Sequence, residues 1–138
     1  MFSRITGYKE LRYLAYHDSL TGLLNRNWLY KNIDKIDYAF VYFIDINDLH
    51  KINEQGHTFG DKHIQKVVQS IQFMYDGVLV RYAGDEFILL SNQMYNGIKT
   101  NDLYSIGFSV IEQDVMVGIN RADKEMIRNK QIWKTGKL

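Results

Sequence analysis

Three carboxylates stand where short apolar runs end. Asp85 and Glu86 follow Ala83-Gly84, between Leu79–Tyr82 and Phe87–Leu90, two runs rich in strand formers. The arrangement predicts a β-hairpin with both acids at its turn, where Gly84 can take the positive φ that tight turns often use. Asp45 follows a third run, Tyr38 to Ile44, whose almost unbroken apolarity predicts a strand buried on both faces. If that strand and the hairpin share a sheet, Asp45 lies beside Asp85 and Glu86. Carboxylates gathered at one sheet edge repel each other unless a cation joins them, and hard oxygen donors suit Mg²⁺ or Mn²⁺. Taken alone, Gly-Asp-Glu reads as a polar turn in water. The third acid in a matching position is what points to a metal site.

The elements that must position these acids follow from periodicity. Tyr8, Leu11, Leu14 and Ala15 recur at helical spacing, so residues 1–16 are expected to form a short amphipathic lead-in helix before a core at 17–136. His17 reads as a structural hydrogen-bonder. Asn25 is placed to cap a helix that turns Trp28, Leu29 and Ile33 inward. Beyond Asp45, a helical turn carries Leu49 and Ile52 into the core and projects Asn53. From Asp61 onward Ile64, Val67, Val68, Ile71 and Met74 form an apolar stripe, and Asp61 could cap that helix. Ser91 to Asp102 is polar and too short for a helix of ordinary length. Tyr104 to Val110 alternates apolar and small residues, a strand whose small face leaves room for a neighbour or a ligand. A last helix over 119–133 aligns Ile119, Ala122, Met126 and Trp133. Lys130 and Lys134 lie one turn apart on another face, as a solvated, dipole-friendly pair or as anion contacts.

The 138 residues, 46% hydrophobic and 24% charged, are expected to form one globular domain over 1–138. A formal net charge of +1 argues against a nucleic-acid polymer as partner. No apolar run is long enough to span a bilayer, no secretory segment opens the chain, and there is no cysteine. A cytoplasmic protein is the expectation.

HDSLTGLLNR (17–26), FIDIND with KIN (43–53), GHTFGD (56–61), RYAGDEF (81–87) and SIGFS (105–109) resemble, in order, the motifs of the GGDEF family of diguanylate cyclases. INRADKEMIRNK (119–130) is similar to the family's last helix. The resemblance implies a single α/β domain like the nucleotidyl-cyclase and polymerase palm, with a mainly antiparallel central sheet flanked by helices. It implies condensation of two GTP into cyclic di-GMP with loss of pyrophosphate, in a homodimer that need only be transient. Asp45, the Ile46 carbonyl, Asp85 and Glu86 become the expected ligands of Mg²⁺ or Mn²⁺, and Asp85, Glu86 and Asp45 the catalytic set. Asn53 and Asp61 match the residues that read the guanine edge, a task suited to an amide that both donates and accepts and a carboxylate that accepts. Gly84, Lys130 and Lys134 match phosphate contacts, with Lys134 where an arginine is usual and its fork is lost.

Four departures bear on these expectations. Ala83 replaces the first signature glycine, which strains the turn if φ must be positive there. His50 stands where a lysine is usual, and the Asn53–Asp61 spacing is one residue short. The family's middle helix is missing. Met74 and Gly77 occupy the positions of the family's product-binding Arg-x-x-Asp, so no product inhibition is expected there. A regulatory protein of unknown identity is a further expected partner. Two other functions fit the same residues: a catalytically silent nucleotide- or partner-binding module and a palm cyclase for another nucleotide.

Overall fold

The computed structural model of the chain describes residues 2–136. Helices α1 (Phe2–Tyr16), α2 (Arg26–Lys31), α3 (Leu49–Asn53), α4 (His57–Met74) and α5 (Val115–Lys134) combine with five strands. These are β1 (Leu24–Asn25), β2 (Phe40–Ile46), β3 (Val78–Arg81), β4 (Glu86–Ser91) and β5 (Tyr104–Val110). Met1 of the expected lead-in helix and residues 137–138 lie outside the described residues.

The strands form one sheet in the order β1-β3-β4-β2-β5, antiparallel except for the β1–β3 pair. The α/β class and mainly antiparallel sheet expected from the sequence are therefore what the chain adopts. β2 is central and buried along almost its whole length, as its unbroken apolar run requires. Its alternate side chains feed two cores. Tyr42, Ile44 and Ile46 join Phe87, Leu89 and the α4 stripe of Ile64, Val67, Val68 and Ile71. Val41 and Phe43 join Ile88, Leu90, Leu29 of α2, and Val115, Ile119, Ala122 and Met126 of α5.

Local chemistry sets the helix ends. Asn25 caps α2 by accepting the Trp28 amide at 2.9 Å, as its sequence position predicts. Asp114 does the same for α5 through the Met116 amide, so that helix starts at Val115, four residues before the expected Ile119. α4 starts at His57 behind Gly56, whose φ of 123° turns the chain out of α3. Asp61 thus sits within the helix and cannot cap it.

α1 forms as a helix, with Tyr8, Leu11 and Leu14 64%, 67% and 57% exposed, because both sheet faces are already covered by other helices. The small face of β5 leaves its room to a neighbour: a Cβ at Gly107 would overlap the Ala122 carbonyl and the Met126 amide, so α5 itself fills that space. The segment after β4 contains no helix, and the Tyr42 hydroxyl pins it by donating to the Gln93 carbonyl and accepting the Tyr95 amide.

Candidate active site

Register brings the acids together. Asp45 follows Val41 and Phe43 on the α5 face of β2, and Glu86 precedes Ile88 and Leu90 on the same face of β4. The antiparallel pairing sets Asp45 opposite Glu86, where cross-strand side chains are neighbours. The Ile46 amide donates to the Asp85 carbonyl at 2.8 Å, drawing the turn onto the end of β2. On the other side Asp45 pairs with Ser105, whose small side chain lets α5 approach. From α5 the Lys130 ammonium reaches Asp45 Oδ2 at 2.6 Å, while Asp45 Oδ1 is buried without a hydrogen-bond partner.

Burial disfavours ionisation in this cluster. It pushes the Asp45 carboxyl up; the Lys130 hydrogen bond opposes the rise and nearby Asp85 reinforces it. Burial likewise raises Glu86, with Asp45, Asp85 and Asp123 adding repulsion that Arg26 partly offsets. Asp123 is a carboxylate that the motif reading passed over. It lies seven residues before Lys130, two turns along the same helix stripe, and that spacing was the available signal.

Arginines hold the turn. Arg81 donates to the Gly84 carbonyl from Nε and from a terminal nitrogen, at 3.3 and 2.7 Å, and pairs with Asp18 at 3.0 Å. Arg26 donates to the Tyr82 carbonyl at 2.8 Å with its guanidinium 4.2 Å above the Tyr82 ring. The Tyr82 and Ala83 amides both donate to the Glu86 carbonyl. Neither Ala83 nor Gly84 has a positive φ. The left-handed Gly84 expected from the sequence is therefore absent, and the Ala83 methyl meets no backbone strain. His17 is structural as expected: it stacks on Tyr13 at 3.9 Å, with Nδ1 3.0 Å from the Gly22 carbonyl.

The residues matched to base recognition form a separate group on α3 and α4. Asn53 lies so close to Gly60 that a Cβ there would overlap its amide oxygen, and exposed Asp61 follows at once. Among the described residues no hydrogen bond joins Asn53 or Asp61 to the acids. Lys130 and Lys134 share a cleft of about 260 Å³ with Asn47, Asp48, Asp102 and Trp133. His50 is exposed. A larger cleft of about 570 Å³ adjoins the hairpin, but its Asp18, Arg26 and Arg81 are already engaged in holding the turn. At Gly77, φ is 142° and a Cβ would overlap the Leu90 carbonyl, so this backbone leaves no room for a side chain.

Among the described residues no three His, Cys, Asp or Glu side chains stand ready as a closed cage for an ion. The donor chemistry nevertheless fits Mg²⁺ or Mn²⁺. All available donors are oxygens, and Asp45 Oδ1 is buried with no partner of its own.

Comparison with known proteins accords with this geometry. The family model described as diguanylate cyclase, GGDEF domain, matches residues 15–103. The chain is 30% identical over 139 residues to the uncharacterized protein Rv1354c of Mycobacterium tuberculosis, covering 85% of this chain and 22% of that protein. It is 38% identical over 96 residues to the cyclic di-GMP phosphodiesterase PdeR of Escherichia coli, covering 61% of this chain and 14% of that protein. A solved microbial GGDEF domain, described in an interaction with cyclic di-GMP, superposes with a TM-score of 0.72 at 27% identity, over 87% of this chain and 93% of that one. The chain thus spans about a fifth of the first of these curated relatives. No described helix is long and apolar enough to cross a membrane.

Proposed function

The chain belongs to the GGDEF family, and from that membership we propose that it is a diguanylate cyclase module, joining two GTP molecules into cyclic di-GMP with release of pyrophosphate. The observation that carries this reading is the direct opposition of Asp45 and Glu86 across β2 and β4, with Asp85 tied to Ile46 beside them. One GTP occupies each of two facing copies. The 3′-hydroxyl oxygen of one bonds to the α-phosphorus of the other, the bond to pyrophosphate breaks, and two such steps close the ring. Holding the nucleotides face to face replaces an encounter with a positioned attack.

In this reading Asn53 and Asp61 hold the guanine edge, and Gly84, lacking a side chain, lets the phosphates approach the hairpin. Lys130 and Lys134 take the triphosphate charge, and Glu86 draws the 3′-hydroxyl proton. Asp45, the Ile46 carbonyl, Asp85 and Glu86 would hold Mg²⁺ or Mn²⁺. When bound, the cation neutralises charge on the transferring phosphoryl group and makes the 3′-hydroxyl easier to deprotonate. The partners are GTP, a second copy that need only associate transiently, and a regulatory protein of unknown identity. The location is cytoplasmic, in one domain spanning 1–138.

A silent nucleotide- or partner-binding module is the second reading. It is favoured by the Lys130–Asp45 ion pair, which occupies a proposed ligand. The experiment is incubation of concentrated protein with Mg²⁺ or Mn²⁺ and each nucleoside triphosphate, beside Asp85→Ala, with products resolved by mass spectrometry. Cyclic di-GMP from GTP, reduced at least about a hundredfold in the variant, supports the cyclase. Because Asp85 contributes its backbone carbonyl to the fold, the variant should stay folded. Another cyclic product indicates a different base. GTP binding without product, in a dimeric sample, indicates the silent module.

A further inference from the structure

Lys130 has two places to put its ammonium. Its side chain is 29% exposed and lines the cleft that also contains Lys134, yet its Nζ turns inward to Asp45 Oδ2 at 2.6 Å. Asp45 is 10% exposed, so this lysine is the cation that compensates its buried charge. The other oxygen, Oδ1, gains nothing from the pairing and remains unpartnered. A divalent ion taking the free Oδ1 of this carboxylate would sit within a few ångströms of the ammonium on Oδ2, and like charges at that distance in a half-buried site repel, so each weakens the other's hold on Asp45. The long lysine stem can swing the ammonium into the cleft without moving α5.

We propose that Lys130 is an exchangeable internal counter-ion, holding Asp45 Oδ2 until a divalent cation takes that carboxylate and the ammonium moves into the adjoining cleft to meet the triphosphate. Cation and nucleotide binding are thereby coupled through one side chain: each event releases the partner that the other needs. Metal alone must break the ion pair, and nucleotide alone must strip Asp45 of its compensation. The chain in its resting state therefore discriminates against either ligand by itself. This inference rests on the metal-dependent reading above.

The test is Mn²⁺ binding to the full chain without nucleotide, followed by electron paramagnetic resonance of the free ion, for wild type, Lys130→Met, Lys134→Met and Asp45→Asn. Thermal unfolding checks that each remains folded. Lys130→Met should bind Mn²⁺ about tenfold more tightly than wild type, and Lys134→Met within about twofold. Adding a GTP analogue with a methylene bridge between the α- and β-phosphates should tighten Mn²⁺ binding by a larger factor in wild type than in Lys130→Met. In Mg²⁺ titrations of wild type, the Lys130 ammonium protons seen by NMR should lose their hydrogen-bonded signal. Equal affinities for wild type and Lys130→Met, or an equal gain in both lysine variants, would overturn the exchange while leaving the metal site intact. Mn²⁺ binding unaffected by Asp45→Asn, or no Mn²⁺ binding by any variant, would instead remove the metal assignment and the exchange with it.

Discussion

Gly60 lies against the Asn53 side chain so closely that a Cβ on Gly60 would overlap the Asn53 amide oxygen. α3 ends at Asn53 and α4 begins four residues later, so this contact is where the two helices meet. Glycine at 60 therefore does more than permit packing: it lets the Asn53 side chain keep its place against α4, one residue before Asp61.

Gly60→Ala should push the Asn53 amide aside, since the clash is with the end of a movable side chain. Stability should change by only about 1 kcal/mol, while nucleotide discrimination suffers more. Competition of GTP against ATP, measured beside a thermal melt, checks this. A variant with unaltered base preference would remove Asn53 from base recognition.

Gly107→Ala presents the opposite case, because the added methyl would strike the backbone at Ala122 and Met126. A helix backbone cannot step aside locally, so α5 must leave the sheet. We expect a loss of about 3 kcal/mol or more by urea unfolding. Any folded fraction should also have a weakened Lys130–Asp45 contact, since Lys130 rides on the same helix.

Asp18 predicts a pH dependence. Burial alone would raise its carboxyl, but the hydrogen bonds from Thr21 and the Arg81 guanidinium outweigh burial and hold it below its usual value of 3.8. A folded-state value below the unfolded one stabilises above the unfolded value and is lost as pH falls through the folded one. Wild type should therefore exceed Asp18→Asn in the unfolding free energy measured by urea at pH 7, by about 1–2 kcal/mol, and the gap should shrink as pH falls below 3.8 and through the folded-state value. A gap that stays unchanged as pH falls from 7 through the acid range to complete protonation would show that shape, not charge, matters at this site.

Ala83→Gly restores the family signature, yet neither Ala83 nor Gly84 has a positive φ. The change relieves no strain and adds freedom to the unfolded chain. It should lower stability by about 0.5–1 kcal/mol, read by thermal melting. Nucleotide turnover that rises sharply would show instead that the methyl obstructs a phosphate.

Much of the fold was legible because buried strands and helix stripes write themselves in residue spacing. The β2 run, the β3–β4 hairpin, the α4 stripe and the Asn25 cap all rest on interactions between neighbours in sequence. The Gly84 conformation and the Asp61 cap were misread because each depends on where the flanking elements stop. The Gly56 turn fixes the start of α4, and the paired amides donating to Glu86 fix the hairpin turn. The lead-in helix was read correctly as a helix, but where its apolar side chains would lie was not legible, since the sequence does not say which sheet faces other helices will take.

The sequence by itself determined the family motifs, the mainly antiparallel α/β sheet they imply and the identities of the three acids. These depend on residue type and on periodicities of two and 3.6 residues that the backbone enforces locally. Only the tertiary structure decided that Asp45 opposes Glu86, that Asp123 joins their electrostatic neighbourhood, and that Lys130 rather than solvent balances Asp45. Lys130 and Asp45 are 85 residues apart in the chain. Strand register and the close approach of α5 over Gly107 bring them together, and neither is encoded in any short stretch.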